Sequence, residues 1–336
     1  MLSIRKILYP ISIIYLIIIS LRNFLFNCGI LKSKKYHIPL IGIGNLSTGG
    51  TGKTPMAEYI FENFSKKFNL ALLSRGYKRS SSGYVKASLK SSPESIGDEP
   101  YQIFQKFKNI LVSVDENRVR GVNNLILENK NLDGIVLDDC FQHRSISLKL
   151  NILLTTYKDP FFNDSILPSG NLREPKNSYK RADIIVVTKC SENMKESEMN
   201  YFYNKINILK HQSLFFSSIS YNKTLFGTSN IQIKDLKKSR ILLVTGISNV
   251  VPLIDYLNNN NVEFDHMKFS DHHNYSSKDI SKIEKEFEDR IVITTEKDYK
   301  KIKNLDLKNK LFYLEIKTKF LKNEVAFKTL ISRAVI

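Results

Sequence analysis

The stretch Gly44-Asn-Leu-Ser-Thr-Gly-Gly-Thr-Gly-Lys-Thr-Pro55 limits this chain more than any other feature. Five of the fourteen glycines, Gly42, Gly44, Gly49, Gly50 and Gly52, lie between residues 42 and 52. They follow an apolar run at 38–43 that reads as a buried strand, and Pro55 then sits in the first turn of a helix. Strand, glycine-rich turn and helix in that order describe a phosphate-binding loop. Ser47, Thr48, Gly49, Gly50, Thr51 and Gly52 would curl the backbone so that N–H groups face phosphate oxygens. Lys53 supplies a point charge for the outer phosphates, and the Thr54 hydroxyl suits Mg²⁺. Ser47 stands where such loops usually open with glycine, so it must take the bend without glycine's freedom.

Around this loop the chain alternates apolar runs with helical patterns. The runs fall at 38–43, 70–73, 110–114, 135–137, 152–154, 184–187, 215–219, 241–244, 291–293 and 311–314, with helical patterns at 118–128 and 197–209. They are continuous rather than alternating, which points to strands covered on both faces, as in a parallel α/β sheet. The polar segment 221–239 reads as a linker. The expected fold is therefore α/β. A P-loop NTPase-like parallel-sheet domain spans 28–220, and a smaller α/β domain spans 240–336.

Residues 1–27 read differently. Ile7 to Leu21 is a run of fifteen residues without charge, flanked by Arg5 and Lys6 on one side and Arg22, Lys32, Lys34 and Lys35 on the other. A helix of that length covers roughly 22 Å, short of the ~30 Å hydrocarbon core. No small-residue cleavage site follows, so the segment reads as a retained membrane helix entering one leaflet or spanning with difficulty. Lysine and arginine total 51 against 33 acidic residues, a net charge of +18, which favours membrane lipids or an acidic substrate. The basic residues are scattered and no nucleic-acid motif occurs, so nucleic acid is not expected as a partner. Three widely spaced cysteines, Cys28, Cys140 and Cys190, suit a reducing compartment and no structural metal.

Four further constellations carry chemistry. Leu132 to Asp139 is an apolar strand ending in two carboxylates; beside a phosphate loop, Asp138 would reach Mg²⁺ or its water shell. Gly97-Asp98-Glu99-Pro100 opens a helical pattern; its acids either cap the helix, or reach a metal and accept a hydroxyl proton. Ser270-Asp271-His272-His273 lacks the spacing of zinc ligands and is either a surface loop or the source of a general base. Asn171-Leu172-Arg173-Glu174 offers a fork-shaped cation suited to phosphate.

Together with Ser74-Arg75-Gly76-Tyr77, Asp138-Asp139-x-Phe-Gln142-His143-Arg144, Ala182-Asp183, Thr188-Lys189 and Thr295-Glu296-Lys297-Asp298, these motifs resemble, in order, the tetraacyldisaccharide 4′-kinase (lipid A 4′-kinase) family of Gram-negative bacteria. Ser47 is usual in that family; Cys140 stands where it usually has glycine. The resemblance implies transfer of the γ-phosphate of ATP to the 4′-hydroxyl of an acylated glucosamine disaccharide 1-phosphate at the cytoplasmic face of the inner membrane, giving lipid IVA. It implies Asp98 as base assisted by His272, Lys53 on the outer phosphates, and Thr54, Glu99 and Asp138 around Mg²⁺. It sets Arg75, Gln142, His143, Asn171 and Arg173 near the acceptor headgroup. No obligate protein partner is evident, and no role follows for Asp139, Asp271 or the 295–298 motif. The competing expectation is a membrane-tethered P-loop switch or targeting ATPase. Related switches place Lys immediately before the Gly-Gly pair, where this chain has Thr48.

Overall fold

The computed structural model describes residues 5–336 apart from 6, 238, 248, 272, 288, 289, 303, 304, 306, 308 and 309. Its thirteen described strands are β1 (Leu40–Asn45), β2 (Leu70–Ser74), β3 (Val85–Lys86), β4 (Leu111–Val114), β5 (Gly134–Asp138), β6 (Leu150–Thr156), β7 (Ile184–Thr188), β8 (Ser213–Gly227), β9 (Asn230–Gln232), β10 (Ile241–Thr245), β11 (Asp265–Lys268), β12 (Ile291–Thr295) and β13 (Leu311–Phe320). The α-helices are α1 (Tyr9–Asn27), α2 (Lys53–Phe64), α3 (Pro93–Ile96), α4 (Asp98–Lys106), α5 (Arg118–Glu128), α6 (Glu196–Ile206), α7 (Val251–Asn259), α8 (Ser277–Phe287), α9 (Glu296–Ile302) and α10 (Glu324–Val335). Two compact units result, one of residues 1–219 with 318–336 and one of residues 220–317.

The first unit is built on a sheet ordered β8-β7-β6-β1-β5-β2-β4-β3, parallel throughout except for the short edge strand β3. Its central strands divide their side chains between two apolar layers. Ile41 and Ile43 of β1, Leu70 and Leu72 of β2 and Val136 of β5 meet Met56, Ile60 and Phe61 of α2. Their neighbours Leu40, Ala71, Leu73, Ile135 and Leu137 meet Val122 and Leu125 of α5. Successive side chains of a strand face opposite ways, so a strand covered on both sides must be apolar at every position. That is the physical origin of the continuous runs. Helix α10 joins the α2 layer through Phe327, Ile331, Ala334 and Val335, and Phe327 lies edge-on to Phe215 with ring centroids 5.4 Å apart.

The second unit carries β11-β10-β12-β13, all parallel, with β9 antiparallel to the 224–226 stretch of β8. Its core is formed by Leu243, Leu253, Leu257, Ile293 and Phe312. The division differs from the sequence expectation at two places. Residues 221–227 of the expected linker belong to strand β8, and residues 318–336 return to the first unit. A polar strand lacks the apolar run that marks the others, and the return of α10 follows from long-range aromatic packing.

Helix α1 has an exposed apolar side. Ile14, Ile17, Ile18, Leu21 and Phe24 are each more than half exposed, and only Ser12 and Asn23 are buried. It is long and apolar enough to be a candidate membrane helix.

Candidate active site

Strand β1 delivers the glycine-rich loop, and β5 runs beside it with Ile43 in register with Asp138. Gly52 caps α2 at φ +90°, a left-handed conformation that favours glycine. No side chain caps α2, so its first amides remain available to an anion. The loop is held from behind by the end of β7: Thr188 Oγ1 donates to the Thr51 carbonyl at 2.8 Å and Lys189 Nζ to the Gly50 carbonyl at 2.5 Å. Its entry is stitched to residues 171–173. The Thr48 N–H donates to the Asn171 carbonyl and the Arg173 N–H to the Leu46 carbonyl, both at 2.8 Å.

The two carboxylates ending β5 part company. Asp139 takes φ +47°, which turns its side chain towards Lys53 and Arg173. Lys53 Nζ lies 3.5 Å from Asp139 Oδ1, and Arg173 NH1 reaches both carboxylate oxygens at 3.1 and 3.0 Å. Burial works to raise the Asp139 carboxyl, but Lys53 and Arg173 outweigh it and hold it below the ordinary carboxylate value. Arg173 NH2 also donates to Asn45 Oδ1 at 3.2 Å, and Gln142 Nε2 donates to the Asn45 carbonyl at 2.9 Å.

Asp138 is buried and pushed the other way. Burial first, then repulsion from Glu99, raise it well above the carboxylate range against the opposing pull of Lys53. Ser74 Oγ donates to Asp138 Oδ2 at 3.3 Å, while Oδ1 is buried without a hydrogen-bond partner among the described residues. A buried, crowded, half-satisfied carboxylate close enough to Glu99 to be repelled by it suits a divalent cation, which would relieve both the repulsion and the unpaired oxygen. Among the described residues no three His, Cys, Asp or Glu side chains form a self-sufficient metal cage.

Glu99 and Asp98 begin α4. Gly97 precedes them at φ +92°, where a Cβ would stand 3.2 Å from the Gly76 Cα. This glycine-on-glycine approach lets the 74–77 turn lie directly against the helix start. Asp98 is half-buried in that first turn, and Arg75 is exposed. His143 is driven down to about 4 by burial and then by Arg118 and Arg75, with Asp139 opposing, so its ring is neutral near pH 7.

One turn therefore gathers Lys53, Asp138, Asp139, Gln142, His143 and Arg173 in the first unit, with Glu99 close enough to act on Asp138. Asn171 is engaged elsewhere: its Oδ1 accepts from Arg5 NH1 at 3.0 Å. His272 lies outside the described residues. In the second unit its neighbour His273 pairs with Asp279 at 3.0 Å and stacks on Phe269. Lys297 stands 3.8 Å from Asp271, and Asp298 accepts the Gly246 N–H at 2.8 Å.

Cys140 raises no difficulty. The left-handed residue of the turn is Asp139, so position 140 needs no glycine, and the buried thiol is pushed up to about 12 by desolvation. Sequence reasoning missed Asp139 as the link between two cations, Asn45 and Lys189 as loop supports, and Arg118. Arg118 is 2% exposed and donates to the Asp138 carbonyl at 2.9 Å. Nothing in its local sequence separates it from a solvent-facing helical arginine. Asn45 and Lys189 lay inside quoted motifs that the phosphate contacts alone did not explain.

The sequence profile described as tetraacyldisaccharide-1-P 4′-kinase matches residues 4–335. The chain is similar to a tetraacyldisaccharide 4′-kinase of Flavobacterium johnsoniae, 43% identical over 324 residues, covering 96% of this chain and 95% of the relative. It is 40% identical over 344 residues to one of Bacteroides thetaiotaomicron, covering 96% and 90%. Its fold is similar to a crystal structure of LpxK from Aquifex aeolicus in complex with ATP. That match has a TM-score of 0.81 and 32% identity and covers 99% of this chain and 100% of that one.

Proposed function

The chain belongs to the tetraacyldisaccharide-1-P 4′-kinase family, and on that premise we propose how its residues divide the work. The reaction transfers phosphate from ATP to the 4′-hydroxyl of the acylated glucosamine disaccharide 1-phosphate in lipid A biosynthesis, giving lipid IVA. Ser47 to Gly52 and the open start of α2 bind the phosphates, and Lys53 neutralises the outer ones. Thr54, Asp138 and Glu99 would hold Mg²⁺, which would supply charge neutralisation at the transferred phosphoryl group. The observation that carries this reading is the buried, unpartnered Asp138 Oδ1 at the end of the strand next to the glycine-rich loop.

Asp98 accepts the proton of the 4′-hydroxyl, assisted by His272. Arg173, Gln142, Arg75 and the neutral His143 meet the sugar–phosphate headgroup. A reaction of this kind needs positioning and charge neutralisation more than covalent chemistry. Helix α1 anchors the protein at the cytoplasmic face of the inner membrane, supported by its exposed apolar side and the basic residues at 32–35. The test is to incubate purified protein with ATP, Mg²⁺ and tetraacyldisaccharide 1-phosphate and follow the 4′-phosphorylated product. Lys53→Ala should lose at least about 10³-fold while retaining its thermal transition. Transfer by that variant within about threefold of wild type overturns the assignment.

A further inference from the structure

Helix α1 faces the first unit with its polar side. Ser12, Tyr15, Arg22 and Asn23 recur at spacings that place them along one flank of a helix, opposite the exposed isoleucines. Burying polar groups against the protein adds nothing to membrane affinity, so anchoring alone does not account for this seam. Its contacts fall on the segments that carry the acceptor-facing residues. Tyr15 OH donates to the Arg173 carbonyl at 3.0 Å, and Arg22 NH2 donates to the Gln142 carbonyl at 2.9 Å. Asn23 Nδ2 donates to Glu174 Oε2 at 3.0 Å, next in sequence to Arg173. Ser12 Oγ lies 2.9 Å from Ser169 Oγ. The site also answers back: Arg144 NH1 donates to the Asn23 carbonyl at 2.8 Å.

The division of contacts on two residues is the key. The side chains of Arg173 and Gln142 point into the site, to Asp139 and Asn45, while their carbonyls are held by α1. Glu174 is fully buried, and among the described residues its Oε2 has, beyond Asn23, only Arg181, at 2.8 Å, as a hydrogen-bond donor. Removing the Asn23 amide therefore leaves a buried carboxylate short of a partner, one residue from Arg173. We propose that α1 is a positioning element of the reaction centre as well as an anchor, its polar seam fixing the backbone beneath Gln142 and Arg173. This rests on reading those two residues as acceptor-binding. Fixing backbone beneath a substrate clamp matters because a shift of about 1 Å costs roughly 10²-fold in rate.

The experiment separates anchoring from positioning. The double variant Tyr15→Phe/Asn23→Leu keeps the outer apolar side intact, so its co-sedimentation with vesicles of phosphatidylethanolamine and phosphatidylglycerol should match wild type. Its kcat on the acceptor in mixed detergent micelles should fall at least about tenfold, with KM for ATP unchanged. If Asn23→Leu abolishes the thermal transition, Tyr15→Phe alone, which removes one hydroxyl, is assayed in the same way. A folded seam variant with kcat within about threefold of wild type overturns the proposal. So does a loss of kcat that only parallels lost vesicle binding. Arg173→Ala is run beside them: if it is inactive while the seam variant is normal, only the positioning role fails. If Arg173→Ala is fully active, the acceptor-binding reading falls and the positioning role with it.

Discussion

Arg173 NH1 grips both oxygens of Asp139, at 3.1 and 3.0 Å, and so ties the 171–174 loop to the turn that ends β5. The same carboxylate stands 3.5 Å from the Lys53 ammonium. One anion thus sets the spacing of two cations, each assigned to a different substrate. Asp139→Asn keeps the shape but removes the charge. It should lower kcat on the order of 10²-fold, because both cations lose their shared reference point. Steady-state kinetics with each substrate varied checks this; an unchanged kcat would make Asp139 a bystander.

Asp98 and His272 are proposed to act as one unit on the 4′-hydroxyl. Each single substitution to Ala should lower kcat by about 10²–10⁴-fold. The double variant should be little worse than the worse single one, since groups serving one step are not additive. ATP binding, measured by titration apart from turnover, should change little for His272→Ala. Fully multiplicative losses would separate the two residues.

The apolar side of α1 should dominate membrane attachment. Replacing Ile14 and Ile18, which are 60% and 59% exposed, with Ser should move protein from the membrane to the soluble fraction, most clearly in high salt. Salt screens the attraction of the basic flank and leaves apolar burial as the remaining force. Unchanged fractionation at high salt would place the anchor elsewhere.

His143 gives a pH signature. Its folded value is depressed to about 4 from an ordinary 6.5 by burial and by Arg118. The unfolded chain therefore takes up the proton first as pH falls. The stability tied to the neutral ring is complete above about pH 6.5 and is lost progressively as pH falls towards about 4. His143→Gln cannot make this loss. The difference in Tm between the two proteins should shift in favour of the variant between pH 7.5 and 5, the carboxylates common to both cancelling. Parallel curves would mean that the ring is not held neutral.

The sheet of the first unit was largely legible because strands covered on both faces must be apolar at each position, and β1, β2, β5 and β7 are. The glycine loop was legible because backbone curvature and helix opening leave marks in residue type. What escaped had no local mark. Arg118 looks like any helical arginine, and only the tertiary fold buries it beneath Asp138. Asp139 separates from Asp138 through a single left-handed φ, which an Asp-Asp pair does not announce. The polar seam of α1 left no mark, because Ser12 and Tyr15 are uncharged and lie within the run 7–21.

The return of α10 to the first unit has a consequence for biosynthesis. Phe327 and Ile331 complete the layer over α2, yet they follow the whole of residues 220–317 in the chain. During translation the nucleotide-binding unit must wait, with Tyr59 and Phe215 lacking their aromatic partners, until the second unit has left the ribosome. Helix α1 emerges hundreds of residues earlier. With α1 as the proposed anchor, the nascent chain would be tethered at the lipid surface while its catalytic half is still open, and the unfinished core would form at the membrane rather than be carried to it.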